Sequence, residues 1–167
     1  MGDYAVLAEA LRYPAPGRLE QLETAARSLD CKAAREAFAA FLHKIRGLSL
    51  AEWEELHTRT LDLNPLVAPY VGFQTWGESY QRGAFMSAMN RAESEAGVQG
   101  DGELPDHLIP ILRYLDTVEQ PTGELVEVLA PAVQRMKAAL RRADADNPYG
   151  DLLDALLAAW SERPLAR

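Results

Sequence analysis

Hydrophobic residues recur along most of this chain at the spacing of an α-helix and not at that of a β-strand. Phe38, Phe41, Leu42 and Ile45 follow the i, i+3, i+4, i+7 pattern, which places all four on one face of a helix. No segment has the sustained alternation of β-branched and aromatic residues that is typical of a strand. The pattern predicts an all-α chain: a single-domain helical bundle of about seven to eight helices over residues 1–167.

Capping residues and helix breakers predict where the helices begin and end. Ser49 is the expected N-cap of the fourth helix, and Asn147 with Pro148 the expected N-cap and first residue of the last one. The predicted helices lie at about 4–13, 17–29, around 38–45, 50–63, 78–96, after 106, around 125–140 and after 147.

Three segments are expected to lie outside helices. Residues 64–76 contain Pro65, Pro69 and Gly72 and are predicted to form a long connection. The glycine-rich stretch at about 97–104 is predicted to be a flexible linker, and residues 162–167 a short C-terminal tail.

The connection at 64–76 is unusually apolar for a loop. Because solvated loops rarely carry so much apolar area, it is expected either to fold back onto the core or to line a binding surface. Its apolar side chains are Leu66, Val67, Tyr70, Val71, Phe73 and Trp76.

Polar residues around the start of the sixth predicted helix have two interpretations. Glu103, Asp106 and His107 could form an acid and base pair in a pocket. Alternatively, Asp106 is the N-cap and the helix dipole lowers the pKa of His107, which needs no substrate. With Asp106 as the cap, Pro110 in the first turn would leave a carbonyl free or make that turn irregular.

Other polar residues carry weaker signals. Arg82 is expected to pair with an acid across helices, and Gly83 to allow a close backbone approach. His43 is expected to be solvated, and His57 to share a surface with Glu54. The sequence contains no zinc-protease, serine-hydrolase, phosphate-loop or dinucleotide-binding motif, so no catalytic or metal-ligating residue is predicted.

Composition narrows the choice of partner and compartment. The formal net charge of -8 disfavours nucleic acid and anionic lipid as partners and favours a basic partner. The alternative interpretation is that the charge only keeps the domain soluble. The single cysteine, Cys31, excludes an intramolecular disulfide. Without a long apolar run or a basic leader at its start, the chain is expected to be cytoplasmic and not inserted in a membrane.

Four segments resemble the NarJ branch of the TorD/DmsD/NarJ redox-enzyme maturation chaperones, also called nitrate reductase molybdenum cofactor assembly chaperones. They occur in the family's order, near an aromatic segment represented by Tyr70, and together they cover about residues 4–116. They are LAEALRYP (7–14), LHTRTLDL (56–63), GESYQRG (77–83) and ELPDHLIPIL (103–112).

The resemblance implies a TorD/NarJ-like all-α fold and a chaperone that is not an enzyme. Such a chaperone binds the N-terminal segment of a molybdoenzyme catalytic subunit, here expected to be the respiratory nitrate reductase α subunit, and holds it competent for molybdenum cofactor insertion and assembly. It holds no cofactor stably, because the molybdenum cofactor is handled through the partner enzyme. Whether it acts as a monomer or a dimer is open.

We expect the partner peptide to lie in a groove that combines the apolar connection, the fifth predicted helix and the Asp106 turn. The residues expected to bind it are Asp62, Leu66, Tyr70, Phe73, Trp76, Arg82, Phe85, Met89, Glu103, Asp106 and His107. Those expected to serve the family motif structurally are Gly77, Gly83, Leu104, Pro105 and Pro110. Two alternatives remain: a small helical enzyme that uses Glu103, Asp106 and His107, and a plain helical adaptor.

Overall fold

The structure is a computed structural model that describes residues 1–163, and within this range it contains helices and no strand. The all-α prediction is therefore confirmed. The helices are α1 (Asp3–Leu11), α2 (Arg18–Ala26), α3 (Lys32–Arg46), α4 (Leu50–His57), α5 (Val71–Trp76), α6 (Tyr80–Glu95), α7 (Leu108–Thr117), α8 (Gly123–Ala143) and α9 (Pro148–Glu162). Residues 164–167 of the predicted tail lie outside the described residues.

Two helix starts that depend only on neighbouring residues form as the sequence predicts. Ser49 caps α4 with a full capping box, because its side chain accepts from the Glu52 amide while the Glu52 carboxylate accepts from the Ser49 amide. Asn147 caps α9 by accepting from the Tyr149 amide at 2.9 Å, and Pro148 occupies the first helical position.

One continuous hydrophobic core joins the helices. The α3 stripe is fully buried as expected, and α3 packs along α9 while α1 packs along α7. Helix α8 packs against both α9 and α5. No helix among residues 1–163 has the length and apolar character needed to cross a membrane.

The connection at 64–76 differs from its prediction, because its second half forms the short helix α5. Gly72, which suggested a helix breaker, lies inside this helix. A Cβ atom there would come within 2.7 Å of Asp106 Oδ2 and 3.1 Å of the Arg82 and Phe85 side chains. Gly72 is therefore required for close packing.

The expectation that the apolar connection folds back onto the core is met by most of its residues. Val67 and Val71 are fully buried, and Phe73 and Trp76 are half-buried. Leu66, by contrast, is 67% exposed. Most of the connection therefore folds back onto the core and leaves one leucine on the surface.

Candidate functional site

The turn before α7 joins two of the segments that suggested a function. The Val71 amide donates to the Asp106 carbonyl at 2.8 Å, and the Leu108 amide donates to the Pro69 carbonyl at 2.8 Å. These bonds form an isolated antiparallel bridge between Tyr70 and His107. The connection and the ELPDH segment are thus held side by side through their backbones.

A buried ion pair fixes α6 to this turn. Arg82 Nε lies 2.9 Å from Asp106 Oδ2, and Arg82 Nη2 lies 3.3 Å from Asp106 Oδ1. Asp106 is fully buried, and the guanidinium also lies over the rings of Tyr70 and Phe73, 5.4 and 5.5 Å from their centres. The expectation that Arg82 pairs with an acid across helices is confirmed.

The prediction that Asp106 caps α7 is wrong. Its carboxylate is occupied by Arg82, and His107 is the N-cap, with Nδ1 accepting from the Ile109 amide at 3.0 Å. The first intrahelical bond then runs from the Ile111 amide to the His107 carbonyl. Pro110 therefore falls where a backbone N–H would have no helical partner anyway, and the expected free carbonyl does not arise.

A tyrosine, a carboxylate and the capping histidine lie together at the surface end of this turn. The Tyr70 hydroxyl donates to Glu103 Oε2 at 3.2 Å, and the same oxygen lies 3.9 Å from His107 Nε2. Burial, and then the Glu103 charge, raise the pKa of Tyr70 to about 12. Burial is also the main reason that the pKa of His107 falls to about 4, so the ring is neutral at pH 7.

These contacts define what the Glu103, Asp106 and His107 cluster does chemically. Asp106 is bound by a guanidinium through both oxygens, and His107 uses Nδ1 to cap a helix. Only the Glu103 carboxylate is exposed. The arrangement holds the turn rigid and presents one acid next to Tyr70.

Four hydrophobic side chains of the connection and of the segments that resemble the family are exposed. Leu63 is 72% exposed, Leu66 67%, Tyr13 52% and Leu104 48%. Tyr13 and Leu63 line a cavity of about 460 Å³ beside Glu54. Tyr13 and Glu103 line a second cavity, of about 240 Å³. Arg59 also lines the first cavity, and Arg12 and Arg18 line the second. We group the following exposed or half-buried residues as the apolar–acidic surface: Tyr13, Glu54, Asp62, Leu63, Leu66, Tyr70, Glu103 and Leu104.

A π-helical turn places Asp62 and Leu63 on this surface. Helix α4 continues into the turn Thr58–Asp62, where the Leu63 amide donates to the Thr58 carbonyl at 3.0 Å. Such turns occur frequently at functional sites. Asp62 Oδ2 lies 3.9 Å from Nδ1 of His57.

His57 is buried against Tyr13, which belongs to this surface. Its ring is 6% exposed, contacts the Leu11 carbonyl through Nε2 at 3.1 Å, and lies between the rings of Tyr13 and Tyr149. The expectation that His57 shares an exposed surface with Glu54 is therefore wrong, whereas His43 is exposed as expected.

Four of the residues expected to bind the peptide are buried: Asp106 and His107 in the turn before α7, and Phe85 and Met89 in the core. Phe85 and Met89 are each 1% exposed, and Trp76, half-buried, packs against Phe85 with ring centres 5.2 Å apart. Leu63 and Tyr13, which the sequence did not single out, are exposed instead. Their signal was an apolar side chain directly before a proline segment, at Tyr13–Pro14 and at Leu63–Asn64–Pro65.

The family-motif residues have separate roles. Gly77 ends α5 with a φ of 65°, a conformation that favours glycine. Pro105 is half-buried and Pro110 is buried. The close-approach expectation for Gly83 is wrong, because no neighbouring atom lies within 4 Å of the position that a Cβ atom would occupy, and the residue is exposed.

Glu93 is a buried acid that the sequence did not single out. It is 6% exposed, and its Oε1 atom has no hydrogen-bond partner in the described part of the chain. Burial, and then the charge of Asp106, raise its pKa from 4.5 to about 8. Between about pH 4.5 and 8 the folded protein keeps this proton while the unfolded chain loses it, so the free energy of unfolding falls as pH rises through this window.

Replacing Glu93 with glutamine is expected to remove this component of the pH dependence. The variant should match the wild type near pH 4.5 and exceed it at pH 8.5 by on the order of 4 kcal/mol, because each unit by which folding raises a pKa is worth about 1.4 kcal/mol. Urea unfolding at pH 4.5, 6.5 and 8.5 measures the difference, with the exposed Glu95→Gln as the control. Parallel pH profiles for Glu93→Gln and the wild type would contradict it.

Among residues 1–163, no group of three or more histidine, cysteine, aspartate or glutamate side chains is placed to hold a metal ion. No protein-family model matches this chain, and no curated protein matches it.

Proposed function

We propose that this chain is a system-specific chaperone of the NarJ type. It binds the N-terminal segment of a molybdoenzyme catalytic subunit, the respiratory nitrate reductase α subunit, and holds it competent for molybdenum cofactor insertion and assembly. In this proposal the chaperone acts in the cytoplasm, catalyses no reaction and meets the molybdenum cofactor only through its partner.

The apolar–acidic surface is the observation that carries this proposal. Five of its eight residues come from three of the four segments that resemble the family: Tyr13 from the first, Asp62 and Leu63 from the second, and Glu103 and Leu104 from the last. Tyr13 connects these segments, because it lines one cavity with Leu63 and the other with Glu103.

The chemistry of this surface suits a cationic amphipathic segment. Burying an exposed leucine side chain stabilises a complex by roughly 1.5–3 kcal/mol, so Leu63 and Leu66 offer substantial affinity to an apolar helix face. Glu54 lines the same cavity as Leu63, and Asp62 directly precedes Leu63 in the chain, but Arg59 lines that cavity too, and Arg12 and Arg18 line the cavity of Glu103. The preference for a basic peptide therefore rests on the net charge of -8.

Calorimetry with the N-terminal peptide of the catalytic subunit tests the proposal. We expect micromolar affinity for the wild type and a loss of at least about tenfold for Leu63→Ser/Leu66→Ser, since each 1.4 kcal/mol of lost contact is a factor of about ten. Tyr80→Ser is the matched control, because Tyr80 is 89% exposed but is not part of the apolar–acidic surface.

Three outcomes would contradict the proposal. The first is the absence of binding heat with folded wild-type protein, and the second is an equal loss of affinity in Tyr80→Ser. The third is a normal molybdenum content of the reductase after deletion of the gene, which would indicate an adaptor. The proposal expects deletion to yield reductase polypeptide without molybdenum.

A further inference from the structure

Arg18, the first residue of α2, is a buried cation without an ion pair. It is 9% exposed, and its Nη1 atom has no hydrogen-bond partner among residues 1–163. No carboxylate in this range lies within 4 Å of its guanidinium nitrogens. Burial, and then the charge of Arg12, lower the pKa of Arg18. A buried guanidinium that lacks an anion is costly, and an anionic ligand would remove that cost.

The neighbouring arginines, in contrast, have partners. Arg12 binds Glu9 at 3.1 Å and Asp101 at 3.3 Å. Arg113 binds Asp101 through both carboxylate oxygens, at 3.0 and 3.1 Å, and reaches Glu9 at 3.5 Å. Two of the three guanidinium groups therefore bind Glu9 and Asp101 directly, and Arg18 is the one without a carboxylate within 4 Å among residues 1–163.

A cavity gives a ligand access to this charge. Arg18 lines the cavity of about 240 Å³ that also contacts Glu103, together with Arg12, Tyr13, Asp101 and Ile109. At roughly 30 Å³ for each water, this volume holds an oxyanion and several waters. Of the two acids in the wall, Asp101 is bound by other arginines and Glu103 accepts from Tyr70, so neither forms an ion pair with Arg18. The charges of Asp101 and Glu9 favour the charged form of Arg18 from a greater distance.

We propose that this cavity is an oxyanion-binding site, in which the guanidinium of Arg18 binds a carboxylate or a phosphate. The planar fork of N–H donors in arginine matches the oxygens of both groups. This site goes beyond the proposed chaperone function, because the ligand is a small anion and not a cationic peptide. The two share only Tyr13 and Glu103, so the site has its own test.

Thermal unfolding of the full chain tests the site at fixed pH and fixed ionic strength. Sodium phosphate and sodium acetate are titrated separately, and sodium chloride maintains the ionic strength. At about tenfold excess over its Kd, a bound anion is expected to raise the Tm of the wild type by about 3–6 °C. A rise with phosphate alone assigns a tetrahedral ligand, and a rise with acetate assigns a carboxylate.

Variants show whether Arg18 is responsible. Arg18→Gln is expected to abolish the rise, and Arg18→Lys, which keeps the charge but not the fork, to reduce it. Arg27→Gln, at an exposed arginine just after α2, is expected to retain it in full. The proposal is overturned if neither anion raises the wild-type Tm above the chloride reference, or if Arg18→Gln keeps the full rise.

Discussion

Arg82→Met is expected to lower the free energy of unfolding by about 3–5 kcal/mol, because it leaves the fully buried Asp106 carboxylate without its cation. Methionine keeps most of the apolar contact with Tyr70 and Phe73, so the loss reports mainly on the charge. Urea unfolding at pH 7 measures the effect as a shift of the midpoint.

The partner variant provides the control. Asp106→Asn should cost less, because the Arg82 side chain is 13% exposed and retains some access to water, whereas Asp106 has none. In the double variant, Arg82→Met/Asp106→Asn, no isolated charge remains, so the two losses are expected to be less than additive. A change below about 1 kcal/mol in Arg82→Met would contradict the structural role of this pair.

The pair also explains which parts of the fold were predictable. The α3 stripe, the Ser49 capping box and the Asn147–Pro148 start depend on residues a few positions apart, so their patterns determine the outcome. Asp106 has the local pattern of an N-cap, but Arg82, 24 residues earlier, binds its carboxylate and leaves the cap to His107. A local sequence pattern does not show that a residue far away in the chain will bind the same carboxylate.

The prediction that residues 64–76 contain no helix was wrong for 71–76, for a related reason. Gly72 indicates a helix end when considered locally, yet α5 needs it because Asp106 and Phe85 lie against its Cα. Gly83 was expected to have that role and instead lies in open space on α6. Only the packed structure shows which of the two glycines permits a close approach.

The candidate site, too, was only partly predictable from the sequence. The polar residues of the ELPDH segment were found from the sequence, because prolines and acids at a helix start form a recognisable pattern. The exposure of the hydrophobic residues was not predicted. Nothing in the local sequence distinguishes the exposed Leu63 from the buried Leu61, although both are next to Asp62. Arg18 and Glu93 were also missed, because charged residues are assumed to be solvated until the packing shows otherwise.

Phe85→Ala is expected to lower the free energy of unfolding by about 3–5 kcal/mol, the usual cost of removing a buried aromatic ring. The ring is 1% exposed and packs against Trp76. Leu66→Ala removes a side chain that is 67% exposed, so its effect on stability should stay within about 0.5 kcal/mol.

The comparison of these two variants decides whether the peptide groove reaches the fifth predicted helix. If Phe85 belongs to the core, its loss shifts the urea midpoint, and protein that remains folded binds the peptide with wild-type affinity. Leu66→Ala should show the reverse, with an unchanged midpoint and severalfold weaker binding. Should Phe85→Ala keep its stability and lose peptide affinity, the contact surface would extend beneath Trp76 and the apolar–acidic surface would be only part of it.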